Sequence, residues 1–455
     1  MAASIDLSIF KDYDVRGTYP TQMNGDVIRA TAHAIVRKFH PKTVAICRDM
    51  RLSGEELRNA FVETFTSLGI NVYDAGLVGT EMQYFIAGTK DYDLVIMISA
   101  SHNPPEFNGF KMVMKGPVAV SGDSGMYAVR DLIKEGPLPE ASQKGTVTMI
   151  NVWEEWKKKL LTLVDVSTFK KLKVVIDAGN GMGGVIADYM LKGTAIEVIP
   201  LFFEPDGHFP NHVPNPLIPA NNEALKAKVL ETHADLGVTF DGDADRMFLM
   251  DDKGRLLPGT ITTALLSRYI LKNHPGETII YNAICGRIVP KVIETSGGKG
   301  LRFRVGHSPI KQKMRELNAV FAGEHSGHYY HRDFFFAESG IGTAMMIFAL
   351  LSGENKKLSA FNDEFAIYPA SGEINFVISD IPGAVTALKT GFPDATSIDE
   401  IDGISVWYPT FWFNVRASKT EPLLRLNVEA DNDAILADIT ATLTKKIEAL
   451  GGKKK

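Results

Sequence analysis

What most constrains this chain is the way it alternates. Over the first three quarters of its 455 residues, short β-rich apolar runs trade places with amphipathic helical stretches. Residues 43–46, 71–73 and 94–98 read as strands, and residues 54–68 carry apolar side chains at helical spacing between the first two. The pattern restarts at 173–176, 196–200 and 236–240, and again at 277–282, 301–305 and 320–322. Such alternation predicts parallel or mixed sheets covered by helices. Beyond residue 368 the texture changes to a strand at 373–378, a helix at 383–389, three successive strands at 404–408, 411–416 and 423–430, and an amphipathic helix at 435–450. Strand runs flanked by two helices predict a small antiparallel α+β domain. Linkers are expected near 148–170, 252–258 and 366–370.

A faint internal repeat accompanies the alternation. Asp93-Leu94, an apolar run and Ser99-Ala100-Ser101 match in spacing Asp235-Leu236, an apolar run and Asp241-Gly242-Asp243. Each predicted strand ends in a polar loop at the same offset, and strand ends are where α/β proteins place ligands.

Composition narrows the class. The chain is 45% apolar and 23% charged, as globular proteins are. A net charge of −5 and a pI near 6.2 leave no footprint for nucleic acid, so an anionic ligand must be held by local basic residues. Acidic and basic residues near the amino terminus (Asp6, Lys11, Asp12, Asp14) leave no secretory core, and the longest apolar stretch, near 341–351, is too short to span a bilayer. Cys47 and Cys285 stand far apart in apolar segments and read as core. The expected setting is cytoplasmic, with neither nucleic acid nor membrane as partner. Lysines 453–455 read as a solvated end.

Several loops carry chemistry. In Asp241-Gly242-Asp243-Ala244-Asp245-Arg246, three carboxylates at alternate positions beside a buried strand call for a cation, and oxygen ligands suit magnesium or calcium. An EF-hand would need glycine where Arg246 stands. Arg246 beside a metal suits charge stabilisation in phosphoryl transfer, although a solvated acidic turn is the competing reading. The strand at 94–98 ends in Ser101-His102-Asn103-Pro104, with Lys111 downstream; taken alone this is an ordinary turn. Gly323-Glu324-His325-Ser326-Gly327-His328 offers hydroxyl-binding groups and a titratable His328 between glycines. Arg416-Ala417-Ser418-Lys419-Thr420 supplies donors for a tetrahedral anion, with a plain polar hairpin as the alternative. Tyr13-Asp14-Val15-Arg16-Gly17 adds another arginine. Gly179-Asn180-Gly181-Met182-Gly183-Gly184 satisfies G-x-G-x-x-G, but the acid at the right distance, Glu204, lies in a loop, and close helix–strand packing accounts for the glycines.

Together, and in their order along the chain, the tyrosine–arginine, serine, metal, sugar and phosphate loops resemble the α-D-phosphohexomutase family, most closely its phosphomannomutase/phosphoglucomutase branch. The resemblance runs the full length and implies four domains around a central cleft. Three are related mixed-sheet α/β domains, at 1–147 with the serine loop, 148–254 with the metal loop and 255–367 with the sugar loop. The fourth is a carboxyl-terminal antiparallel α+β domain at 368–455 with the phosphate loop. It also implies an isomerase that interconverts hexose 1-phosphate and hexose 6-phosphate, of mannose, glucose or both. The route implied is a phosphoserine and a hexose 1,6-bisphosphate, which is also the activator, with magnesium as cofactor.

Carried over by motif, Ser101 is the phosphorylated residue, and Asp241, Asp243 and Asp245 hold magnesium together with an oxygen at Ser101. Tyr13, Arg16, His102, Lys111, Arg246, His307 and His328 line the reaction centre, with Lys111 and His328 the candidates for proton transfer. Glu324 and Ser326 meet sugar hydroxyls, while Arg416, Ser418, Lys419 and Thr420 clamp the non-reacting phosphate. Departures are small: Lys419 stands where asparagine is common, Ala244 replaces a usual glycine, and Ser99 a frequent threonine. His325 disfavours the phosphoglucosamine branch, where glutamine is usual. A phosphoglucosamine or other phosphosugar mutase, a metal-dependent sugar phosphatase and a non-catalytic sugar-phosphate sensor are the alternatives. The sensor would be expected to have lost the serine or an aspartate. A monomer or homodimer is expected.

Overall fold

A computed structural model describes residues 5–354, 356–418 and 423–455. They form two compact units, Met1–Pro258 with Ser326–Ser359, and Gly259–His325 with Ala360–Lys455.

The first unit holds two mixed sheets. The seven-stranded sheet runs Val15–Thr18, Phe107–Met114, Leu94–Ile98, Thr43–Arg48, Asn71–Leu77 and Val147–Met149, with Val118–Ala119 paired to Phe107–Met114. One of its helices is capped locally at both ends. Asn24 caps Gly25–Phe39 by accepting from the Asp26 and Val27 amides, and the helix ends at His40 in the left-handed region. The five-stranded sheet runs Leu256–Leu257, Met247–Asp251, Leu236–Phe240, Leu172–Asp177 and Ile196–Leu201.

The two sheets repeat one local plan. Leu94–Ile98 and Leu236–Phe240 are buried at every position, each with a parallel strand on one side and an antiparallel strand on the other. The shared aspartate has a physical role. Asp93 accepts from the Lys42 and Thr43 amides (2.8 and 3.0 Å), and Asp235 from the Lys173 amide (2.7 Å), so each fastens its strand to the start of the parallel neighbour. Two of the three predicted linkers hold regular structure, whereas residues 366–369 have none. Trp153–Leu160 is a helix that buries Trp156 and Leu160, and Leu256–Leu257 extends the second sheet. An antiparallel pair, Tyr330 opposite Glu338, and the buried helix Gly340–Gly353 complete this unit.

In the second unit, Thr278–Asn282 lies parallel to both Lys299–Phe303 and Phe321–Gly323. The tail forms a six-stranded sheet in the order Ser397–Asp399, Ile404–Trp407, Phe411–Ala417, Leu424–Ala430, Ala370–Val377 and Lys453–Lys454, antiparallel throughout. One face of the sheet is buried with residues of Ile381–Thr390 and Asp433–Ala449. The terminal lysines thus correct the sequence reading. Their side chains are exposed, but their backbone pairs with Phe376 and Val377. Among the described residues no helix is long and apolar enough to cross a membrane. Both cysteines are buried and free, and burial pushes the Cys285 thiol up to about 12.

Candidate active site

The two strand-end loops of the first unit meet. Ser101 Oγ donates to Asp241 Oδ2 at 2.7 Å and lies 3.2 Å from His102 Nδ1. Ser101 adopts a left-handed backbone (φ 51°), a conformation that costs a non-glycine residue about 1–2 kcal/mol and persists only where the surroundings impose it. Here the Ser101 amide donates to Ser99 Oγ at 2.8 Å. From the other side, the buried Arg51 guanidinium donates to the carbonyls of Ser101, Asn103, Pro104 and Phe107 at 2.9, 2.6, 2.8 and 2.7 Å. Sequence reasoning missed Arg51. The available signal was Asp49-Met50-Arg51 at the end of another buried strand.

The metal loop turns through Ala244, also left-handed (φ 60°), which explains why glycine suits that position. Asp241, Asp243 and Asp245 are buried, with one carboxylate oxygen from each within 4.8 Å of the others. Lys111 Nζ donates to Asp243 Oδ2 at 2.9 Å and to Asp245 Oδ2 at 2.7 Å, while Thr80 and Ser99 hydroxyls also reach Asp243. Burial alone would raise Asp243, but Lys111 and the Thr80 bond hold it below the usual carboxylate range. Asp241 is driven well above that range by burial and by Asp245 and Asp243. Asp243 Oδ1 and Asp245 Oδ1 are buried without hydrogen-bond partners. Oxygen-only ligands with two orphaned acceptors fit a hard divalent cation.

Cationic groups surround this pair of loops. Arg16 is held by Asp14 (2.7 Å) and donates to the Ala100 carbonyl (3.1 Å) and Asn103 Oδ1 (2.6 Å). Arg246 Nε lies 3.5 Å from Asp241 Oδ2, and its backbone bridges to His328. His328 Nε2 is 3.6 Å from Asp245 Oδ1, and its Nδ1 is 3.2 Å from Ser326 Oγ. Desolvation, then Arg246 and Arg16, holds the His102 imidazole well below its ordinary value. Tyr13 lies in the turn between Phe10 and Val15, which bridge each other. The glycine-rich segment serves packing. A Cβ on Gly181 would approach the Gly242 carbonyl to 2.6 Å, and one on Gly184 the Phe203 carbonyl to 2.5 Å.

The second unit holds the other predicted residues. Glu324 is buried, its Oε2 accepting from Asn282 Nδ2 (3.2 Å) and the Gly306 amide (3.4 Å), and His307 opens the helix His307–Leu317 directly after Gly306. His325 pairs with Thr260 Oγ1 at 2.9 Å. Arg416, at the end of Phe411–Ala417, donates to Glu373 Oε2 at 3.0 Å, and the Ser418 amide donates to the Leu423 carbonyl at 2.8 Å. Lys419 and Thr420 lie outside the described residues. Asn282 and Glu373 had not been anticipated, since neither sits in a recognisable motif.

Near Asp245, Glu81 is fully buried and accepts from Ser339 Oγ. Burial, with Asp245 adding to it, pushes this carboxyl up to about 8. Between the ordinary value and 8 the folded state binds the extra proton, so stability falls as pH rises through that window. Glu81→Gln removes this slope. Thermal melts at several pH values should show the variant gaining on the parent by about 2–4 kcal/mol between about pH 5 and pH 8. Parallel curves would contradict the assignment.

Comparison with known proteins agrees with this geometry. The chain matches the phosphoglucomutase/phosphomannomutase alpha/beta/alpha domains I, II and III over residues 7–137, 154–254 and 258–368, and the C-terminal domain over 373–446. It is 36% identical to a phosphomannomutase of Escherichia coli, covering 94% of this chain and 96% of that protein. It is equally 36% identical to a protein of Xanthomonas campestris named for phosphohexose mutases, covering 98% and 99%. The crystal structure of a phosphoglucomutase/phosphomannomutase family protein from Burkholderia thailandensis superposes with a TM-score of 0.90 at 31% identity, covering 99% of this chain and all of that one. With its four domains matched in order and its serine and acidic loops joined by the Ser101–Asp241 and Ser99–Asp243 hydrogen bonds, the chain belongs to the phosphoglucomutase/phosphomannomutase family.

Proposed function

We propose that this phosphohexomutase interconverts the 1- and 6-phosphates of mannose and glucose through a phosphoserine at Ser101 and a hexose 1,6-bisphosphate. The observation that carries the reading is the 2.7 Å bond from Ser101 Oγ to Asp241, inside a buried acidic triad that also engages Lys111. In the forward half-reaction the P–Oγ bond of phosphoserine breaks and a bond from phosphorus to the sugar oxygen forms, the sugar hydroxyl losing its proton to a base. The bisphosphate reorients, and its other phosphoryl group returns to Ser101 Oγ as the sugar oxygen regains a proton. Asp241, Asp243 and Asp245 would hold magnesium, which when bound neutralises charge on the phosphoryl group. Arg16 and Arg246 add fixed positive charge. Lys111, tied to two carboxylates, acts chiefly as a charge, which leaves His328 as the better proton carrier. Glu324 and Ser326 contact hydroxyls common to both sugars; the clamp of Arg416, Ser418, Lys419 and Thr420 holds the non-reacting phosphate, with Tyr13 and His307 as further substrate contacts.

The four domains are taken as 1–147, 148–254, 255–367 and 368–455, and the enzyme as cytoplasmic, monomeric or dimeric, and without nucleic-acid partners. Turnover of mannose 1-phosphate, glucose 1-phosphate and glucosamine 1-phosphate, each with and without a hexose 1,6-bisphosphate, tests the reading. Mannose and glucose substrates should isomerise at rates within about tenfold of each other. Release of inorganic phosphate as the main product, or a preference for the amino sugar, would overturn it.

A further inference from the structure

The tail sheet has one polar face. Phe413, Val415, Leu424, Leu426 and Val428 line the apolar side, whereas the strand register places Arg416 directly opposite Arg425. Like charges opposite one another on adjacent strands repel, and Arg416 is almost wholly buried at 3% exposure. Glu373, from the strand beyond, answers both. Arg416 Nη2 donates to its Oε2 at 3.0 Å, while Arg425 Nε lies 3.4 Å from its Oε1. Neither Glu373 nor Arg425 belongs to the Arg416–Thr420 loop, and the Glu373 side chain, at 25% exposure, is the less confined member of its pair with Arg416.

We propose that Glu373 is the resident counter-ion of the phosphate clamp and that Arg425 is the positioning residue that receives it. This rests on the reading of Arg416 as a phosphate ligand. A phosphate dianion at Arg416 would otherwise face a carboxylate on the same guanidinium. With Arg425 alongside, Glu373 transfers its pairing to the second arginine, and Arg416 turns its donors to the phosphate while no buried charge is left alone. Arg425 thereby sets affinity without touching the ligand.

A double-mutant cycle reads this directly. Glucose 6-phosphate and inorganic phosphate are titrated calorimetrically into a Ser101→Ala background, where no phosphoryl group is exchanged. Glu373→Gln removes the competing charge and should lower Kd about threefold to tenfold, whereas Arg425→Gln leaves Glu373 on Arg416 and should raise Kd about tenfold, or 1.4 kcal/mol. The double variant should bind within about threefold of Glu373→Gln alone, because Arg425 acts only through the carboxylate. Weaker binding by Glu373→Gln, or additive single effects, would overturn the proposal. Circular dichroism checks folding. Should the glutamine variant not fold, Glu373→Asp, with a shorter reach to Arg416, should shift Kd the same way. Arg416→Gln separates the two levels. An unchanged Kd there removes the clamp itself, while a large loss without coupling between Glu373 and Arg425 removes only this proposal.

Discussion

Ser101→Ala is expected to abolish turnover while leaving sugar-phosphate affinity within a fewfold of the parent. The reason is chemical. With Oγ gone no phosphoryl group can be stored between the two half-reactions, and uncatalysed phosphate-monoester cleavage is so slow that enzymes reach accelerations of ~10²¹. Among the described residues, the neighbouring hydroxyls are committed elsewhere. Ser99 Oγ is committed to the Ser101 amide and to Asp243, and Thr80 Oγ1 to Asp243. Steady-state rates and phosphoprotein mass spectrometry should agree, with a loss of at least about 10⁴-fold and no phosphorylated peptide from residues 99–104. Turnover within about tenfold of the parent would remove Ser101 from the mechanism.

Arg51→Ala is expected to have the second-largest effect, and it should act on stability and rate together. The guanidinium donates to four carbonyls within seven residues of the serine loop. It also faces Asp49 at 3.6 Å, with both side chains buried. Removing the cation leaves a buried carboxylate uncompensated, a change that typically costs about 3–5 kcal/mol. It also frees Ser101 from its left-handed backbone, so Oγ should no longer sit reliably against Asp241, and misplacement of about 1 Å can cost ~10²-fold in rate. Denaturant unfolding should show the loss of stability. At a temperature where the variant is folded, kcat should fall by about 10²-fold with KM changed far less. Recovery of the rate by Arg51→Lys would contradict the fork geometry, since an ammonium cannot span four carbonyls.

How much could be read in advance differed by level. Strand identity and the polar loops at strand ends were legible because buried strands read as continuous apolar runs ending at turn residues. The acidic loop was legible because alternate aspartates at a buried strand end have few uses without a cation. The Asp93 and Asp235 repeat was visible as a pattern, but its cause was not, because an aspartate that fastens a neighbouring strand looks like any other until that strand is paired. Asn282 and Glu373 were not legible, and Arg51 only as a polar residue at a strand end. Each is a common polar residue in or beside an apolar run, and its role depends on partners 40 to 50 residues away.

The amino-acid sequence by itself determined the elements, their order and the loops that hold the chemistry, because propensity, burial periodicity and turn signals act locally. Tertiary structure alone decided which groups share charge. It brought Ser101 against Asp241 across 140 residues, tied Lys111 to Asp243 and Asp245, and set Arg425 opposite Arg416 with Glu373 paired to both. Electrostatic pairing depends on distances of a few ångströms between residues remote in sequence, and only the folded backbone specifies those.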